Sequence, residues 1–288
     1  MANISVLWRK PSDLGVYSQG SWSGTLPLAN VAEEDVQRVA RTTNTSTANT
    51  RFRVDLNSVM PVAISDFVIV NHNWTTSAKV RFVVTSDEND ANPSARTLDT
   101  GELTVWVPTV VPGALPWGVW PWGGIDPTAY PSGTEFFHRS NQVGVGRYVW
   151  VYINDPTNPA GYLQLGRFMA GTAWSPSHNF SFGDNIRWID PGTARRTRGG
   201  KRLFTARPRY RQMEVSFDYL TKEEAYGLAF EIDRLLGKGG NFYISMDVAE
   251  GGEFRFRRSL YAALVDTAPI VGRDYDIWTW KITAEELN

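Results

Sequence analysis

The chain has 288 residues, of which 42% are hydrophobic and 20% are charged, a composition typical of a folded protein with two medium-sized cores. It contains no cysteine, which excludes disulfides, Cys-ligated zinc, iron–sulfur clusters and thiol catalysis. The net charge is −1 and the three histidines are widely separated, so neither a nucleic-acid-binding protein nor a metal or other cofactor is expected.

The first residues carry no basic segment followed by an apolar one, so no secretory signal is predicted. No window of the sequence approaches the ~20 apolar residues of a membrane-spanning helix. We therefore expect a protein that is made and assembled in the cytoplasm.

Residues 1–171 predict a β domain. Arg51–Leu56 and Lys79–Val84 alternate polar with apolar residues, whereas Ile64–Val70 is almost continuously apolar, as in a central strand covered on both faces. Such short strands, with almost no helical periodicity, indicate a β-sandwich or jelly roll. Three further strands are predicted at Glu102–Val107, Arg147–Ile153 and Tyr162–Met169.

A segment rich in Pro, Gly and Trp interrupts this domain at residues 108–131. Repeated Pro and Gly are incompatible with a regular helix or a central strand, so a long inserted loop is predicted. Its aromatic rings either fold back onto their own domain or contact a neighbouring subunit or a glycan. The candidate contact residues are Trp117, Trp120, Trp122 and Tyr130.

Residues 172–288 predict a second β domain with one flanking α-helix at 221–236. Thr221 and Glu224 match a capping box, and Gly237 is a natural helix end. A strand at Arg209–Phe217 precedes the helix, and a β-sandwich or barrel is expected. The strands predicted after the helix are Asn241–Met246, Phe254–Val265 and Tyr275–Thr283.

No motif indicates catalysis, and the chain is predicted not to be an enzyme. There is no Gly-x-Ser-x-Gly elbow, and the glycine pairs lack the Lys-Ser/Thr ending of a phosphate-binding loop. Carboxylates such as Asp184 and Asp190 lie beside turn-forming residues, and nothing singles out a pair suited to glycoside hydrolysis.

A locally basic segment lies between Gly192 and Met213, which contains no Asp or Glu. Three interpretations remain open: a solvated loop, a subunit interface in which Arg pairs with carboxylates, or a surface that faces DNA in transit. The candidate interface residues are Arg195, Arg196, Arg198, Lys201, Arg202, Arg207 and Arg209, and Arg211 belongs to the same basic segment.

Several segments resemble the minor tail proteins of tailed bacteriophages: Gly161–Gly171, Trp174–Gly183, the helix at 221–236, Ser259–Leu264 and Tyr275–Trp280. In that family a galactose-binding-like sandwich is joined to a tail-module domain. The nearest match in role is the distal tail, or baseplate hub, protein of long-tailed non-contractile phages. The resemblance covers residues 160–288 well, whereas residues 1–160 match only as a jelly roll.

The resemblance implies a structural protein of the virion tail tip. It would form a ring, as a hexamer or trimer, that joins the tail tube to the tip. Its partners would be copies of itself and the tail tube, tape-measure and hub proteins, with DNA present only in transit. The alternative function is an adhesion module whose sandwich binds glycans of the host surface.

Overall fold

The computed structural model describes residues 3–57, 60–106, 135–249 and 257–287. Within these ranges the protein is mainly β, as predicted. The described strands, β1 to β19, form three large sheets and one separate two-stranded hairpin, and one helix packs against the third sheet.

The first two sheets form the predicted sandwich. The outer sheet has the order β2-β4-β10-β6-β7, with β8 paired to β6, and the middle sheet has the order β3-β11-β5-β9. All of these pairings are antiparallel. The strands are β2 (Val16–Ser18), β3 (Ala40–Arg41), β4 (Arg51–Asp55), β5 (Val62–His72), β6 (Lys79–Thr85), β7 (Arg96–Asp99), β8 (Leu103–Thr104), β9 (Glu135–Gly146), β10 (Tyr148–Asn154) and β11 (Gln164–Gly171).

A cluster of phenylalanine rings fills the space between these two sheets. Phe67 of the middle sheet stacks on Phe82 of the outer sheet with ring centroids 4.4 Å apart, and Phe168 meets the edge of Phe52 at 5.4 Å. All four side chains are fully buried. Because burying one such ring stabilises the folded state by ~1.5–3 kcal/mol, this cluster is a main source of the sandwich's stability.

The third sheet has the order β1-β16-β17-β19-β15-β12, with β18 paired to β19. It is open, with β1 and β12 at its edges, and is not closed into a barrel. Its strands are β1 (Ser5–Leu7), β12 (Asn185–Ile189), β15 (Tyr210–Leu220), β16 (Asn241–Ser245), β17 (Ser259–Leu264), β18 (Val271–Asp274) and β19 (Ile277–Glu286).

The helix that packs on this sheet, α1, consists of Lys222–Glu224 and Phe230–Leu236 joined by the π-helical turn Ala225–Ala229. The predicted capping box is confirmed: the Glu224 N–H donates to the Thr221 hydroxyl at 3.3 Å, and the Thr221 N–H donates to the Glu224 carboxylate at 3.1 Å. Gly237, with a φ of +50°, ends the helix as predicted.

The middle sheet is buried on both faces, so the molecule has four layers: outer sheet, middle sheet, third sheet and helix. On β5, Phe67 and Ile69 face the sandwich core, whereas Val68 and Val70 face the third sheet. This confirms the prediction that the apolar segment Ile64–Val70 is a central strand. The contact with the third sheet is completed by Leu7, Phe137, Met169, Tyr243 and Tyr261.

Two features differ from the sequence-based expectations. The first domain was predicted to span residues 1–171, which would place β1 in the sandwich. In the structure β1 pairs instead with β16 of the third sheet, because Ile4 and Val6 are buried in the core beneath the helix. The long strand β9, Glu135–Gly146, was not predicted, since its polar segment Arg139–Gln142 lacks the apolar alternation of a half-buried strand.

A buried ion pair links the middle sheet to the segment that enters the third sheet. The Arg139 guanidinium donates to the fully buried Asp66 at 2.6 Å and to the hydroxyls of Ser175 and Ser5 at 2.6 and 2.8 Å. The other Asp66 oxygen accepts the Ala173 N–H at 3.0 Å. These contacts join four segments that are distant in sequence.

A second polar cluster surrounds Arg167, a charged residue inside an otherwise apolar strand. Its fully buried guanidinium donates to the Ala32 carbonyl and to Asp13 at 2.7 Å, and it approaches the Asn241 side chain at 3.4 Å. Lys10 donates to the Asn241 carbonyl at 2.6 Å. Burial lowers the pKa of Lys10.

A third cluster is the triad of Glu135, Arg211 and Glu286. Arg211 donates to Glu286 from Nε at 3.0 Å and from its backbone N–H at 2.9 Å, and it lies 3.3 Å from Glu135. Burial raises the pKa of Glu135 to about 7; Arg211 opposes this shift and the Glu286 charge adds to it. The triad therefore couples the sandwich to the third sheet in a pH-dependent way.

The first prediction concerns the Asp66–Arg139 pair. Arg139→Met should lower the free energy of unfolding by ~3 kcal/mol, because the buried Asp66 side chain loses its cationic partner. Urea denaturation would measure this loss. The double variant Asp66→Asn/Arg139→Met should be less destabilised than the single one, and an equal or larger loss would contradict the assignment.

The second prediction concerns Glu135. In the folded protein it is protonated up to about pH 7, whereas in the unfolded chain it ionises near pH 4.5. Its contribution to stability is therefore complete below pH 4.5 and is lost as the pH rises to 7. Relative to wild type, Glu135→Gln should gain on the order of 3 kcal/mol between pH 4.5 and 8. Unfolding at several pH values tests this, and a constant difference would refute it.

Candidate functional site

The most prominent surface feature is the separate hairpin formed by β13 (Thr193–Arg196) and β14 (Arg202–Thr205), called the arm here. The arm follows the edge strand β12 and pairs with none of the other described strands. Every residue from 193 to 205 is exposed except Leu203, which is half-buried. An isolated two-stranded hairpin is at best marginally stable in water, so the arm would gain stability from contact with a partner.

The charges of the arm favour an anionic partner. Arg196 lies directly opposite Arg202 across the hairpin, and like charges in this position are destabilising. Among the residues that the structure describes, no carboxylate forms an ion pair with the arm's basic side chains, which are Arg195, Arg196, Arg198, Lys201 and Arg202.

The remaining residues of the predicted basic segment, which lie outside the arm, differ in their surroundings. Arg207 is exposed in the connection between β14 and β15. Arg209 lies at the base of the arm, where its Nε is 3.1 Å from Asp190. Arg211 is not part of the exposed surface, because the alternation along β15 turns it inward to Glu286. The candidates Trp117, Trp120, Trp122 and Tyr130 lie outside the described residues.

A second surface feature is an apolar groove of about 530 Å³ between the helix and the segment that leads into β18. Tyr226 and Phe230 of the helix form one wall and are 51% and 50% exposed. Asp233 also lines the groove; burial raises its pKa, and it accepts the Trp280 indole N–H at 3.0 Å. The other lining residues are Arg234, Thr267, Ala268, Pro269 and Ile270.

A third feature is a polar recess of about 270 Å³ on the outer face of the sandwich. Tyr152 and Asn154 of β10 lie directly opposite Arg81 and Lys79 of β6, and Glu102 flanks them. Lys79 is 2.9 Å from Glu102, which also accepts from the Asn154 amide at 3.3 Å. Arg81 donates to Asp99 at 2.7 Å. Both cations are therefore neutralised within the recess.

Metal and membrane sites were sought within the described ranges. No group of three His, Cys, Asp or Glu side chains there could hold a metal ion. Every helix in the same part of the chain is too short or too polar to span a bilayer.

Comparison of the fold with solved structures finds matches of low identity and low TM-score, among them a carbohydrate-binding module and a lectin. The family 32 carbohydrate-binding module from Clostridium perfringens NanJ, solved in complex with galactose, is 10% identical with a TM-score of 0.37; the match covers 58% of this chain and 98% of the module. A fucolectin from striped bass (Morone saxatilis) serum is 12% identical with a TM-score of 0.35; the match covers 97% of this chain and 93% of the lectin.

A third similar structure, reduced XRCC1 bound to the catalytic domain of DNA polymerase β, is 14% identical with a TM-score of 0.36; the match covers 58% of this chain and 99% of that chain. No protein-family model and no curated protein sequence matches this chain. At these identities and TM-scores the similarities carry no conclusion about function. None of the three is a phage tail protein, so that assignment remains a prediction.

Sequence analysis missed the recess and the groove. The recess depends on the register of two strands, which sequence alternation does not specify. The sequence contained a partial indication of the groove. Tyr226 and Phe230 lie four residues apart, so they share one side of the helix next to its apolar stripe.

Proposed function

We propose that this chain is a non-catalytic structural protein that assembles with copies of itself into a ring in a phage tail tip. The observation that carries the proposal is the distribution of exposed aromatic side chains. Among the described residues, every large aromatic side chain that is at least 50% exposed lies after residue 171. Exposed aromatic groups of this kind are typical of protein interfaces.

Most of these side chains lie in two groups beside the third sheet. The other two are Phe182, in the segment before β12, and Tyr219, near the end of β15. Trp188 of β12 and Phe204 of the arm lie at one edge. Tyr226, Phe230 and Tyr275 lie on the helix and on the hairpin formed by β18 and β19. Two different surfaces on one subunit favour head-to-tail association, which closes into a ring when the rotation between neighbours permits it.

The phage context is supported by the resemblance of residues 160–288 to minor tail proteins. On this proposal the protein lies in the virion, at the tail tip, after assembly in the host cytoplasm. Its ring, a hexamer or trimer, joins the tail tube to the tip and contacts the tube, tape-measure and hub proteins. DNA passes through only in transit.

The third prediction tests the role of the arm. The double variant Arg196→Glu/Arg198→Glu should fold normally but fail to assemble, because both side chains are exposed and make no ion pair within the described residues. Circular dichroism would confirm the fold, and light scattering after size-exclusion chromatography would measure assembly.

A matched control compares Arg198→Glu with Arg38→Glu, which reverses one exposed charge on the sandwich. Only the arm variant should assemble poorly. Normal oligomers from the double variant, with wild type also oligomeric, would remove the arm from the interface.

A second candidate function is glycan binding by the sandwich, and the polar recess favours it. Because Lys79 and Arg81 are already paired with carboxylates, the recess has little attraction for an anion. Its remaining hydrogen-bonding capacity includes both donors and acceptors, and the half-buried Tyr152 ring lines one side. This combination suits a small, neutral, polyhydroxylated ligand.

The fourth prediction separates the two possible glycan sites. If the recess binds sugar, Asn154→Ala should abolish binding on a glycan array while Trp120→Ala leaves it intact. If the inserted loop binds sugar, the pattern should be reversed. No binding by wild type would remove this candidate function without affecting the assembly proposal.

A further inference from the structure

The arm and the groove are complementary surfaces at different positions of the same sheet. The strands between them follow the order β12-β15-β19-β18, so the arm, which follows β12, and the groove, which lies beside β18, are separated by β15 and β19. Under the proposed ring function, each subunit would present its arm to one neighbour and its groove to the other.

We infer that the arm of one copy docks in the groove between the helix and β18 of the next copy. The occupant is therefore a second copy of this chain. The inference rests on the proposed ring function and specifies its interface: residues 193–205 on one side, and the lining of the groove on the other.

Charge complementarity is the first argument for this pairing. The arm carries five basic residues and no acidic one. The segments that flank the groove, 218–238 and 265–276, carry eight carboxylates against four basic residues, so they are net acidic. Two of these acidic residues, Glu231 and Asp266, adjoin lining residues and form exposed ion pairs with Arg234 and Lys238. Because exposed ion pairs of this kind are weak, docking would let the arm's arginines replace these local partners.

Apolar complementarity is the second argument. The groove exposes Tyr226, Phe230 and Pro269, and the arm carries Phe204, which is 51% exposed, beside the half-buried Leu203. Because exposed ion pairs contribute little net affinity, burial of these apolar side chains would supply most of the binding and the charges would set the register. The two surfaces therefore match in both respects.

Disulfide trapping tests the contact directly, because the chain has no cysteine of its own. Thr197→Cys or Thr205→Cys on the arm is combined with Thr267→Cys in the groove. Under mild oxidation, at least one pair should give a ladder of covalent oligomers on a non-reducing gel, since each link joins two chains. The control pairs the same arm cysteines with Ser86→Cys, an exposed residue of the sandwich. The same ladder from the control, or none from either pair, would overturn the inference.

Charge exchange provides a second test in solution. The groove variant Glu231→Lys/Asp266→Lys and the arm variant Arg196→Glu/Arg198→Glu should each associate about tenfold or more weakly than wild type. An equimolar mixture of the two should recover association, because the reversed arm meets the reversed groove and the native surfaces meet each other. The recovered rings should contain even numbers of subunits.

The outcomes separate this inference from the function on which it rests. If the arm variant fails to assemble but the groove variant assembles normally, the arm has another partner and only the inference fails. If both variants and the wild type assemble equally, the arm is not an interface. If wild type forms no oligomer at any concentration, the ring and its interface both fail.

Discussion

The architecture depends on the burial of both faces of β5 and β11, the two central strands of the middle sheet. These strands are covered by the outer sheet on one side and by the third sheet on the other, so the sandwich and the third sheet share a hydrophobic core. Interior packing of this density tolerates little relative movement. Arg167 is fully buried for the same reason, since strand β11 offers its alternating positions no solvent-exposed face.

Charged residues occur in this interface where segments from distant parts of the sequence meet. Arg139 brings together Asp66, Ser5 and Ser175, and the triad around Arg211 joins the start of β9 to the end of β19. Buried charge pairs often add little net stability compared with apolar packing. They do impose a geometric requirement, because the guanidinium groups of Arg139 and Arg211 reach their carboxylates only when the layers are aligned as observed.

The regular elements could be predicted where one local pattern dominates. The capping box at Thr221 and the apolar segment Ile64–Val70 are examples, and both are confirmed. Strand β9 could not be predicted, since its central segment His138–Gln142 consists of polar residues only. The basic segment was found from composition alone, but composition could not show that Arg211 is buried while Arg196 is exposed. That distinction depends on the start and register of β15, which tertiary packing determines.

The pairing of β1 with β16 has a consequence for biosynthesis. Ser5 lies opposite Ser245, so β1 is synthesised long before its partner strand β16 exists. Contacts of such long sequence separation form late in folding. The sheet that carries the arm and the groove is therefore completed only after translation has passed β19. If the proposed interface forms, a partly synthesised polypeptide therefore cannot yet present both of its surfaces to other copies.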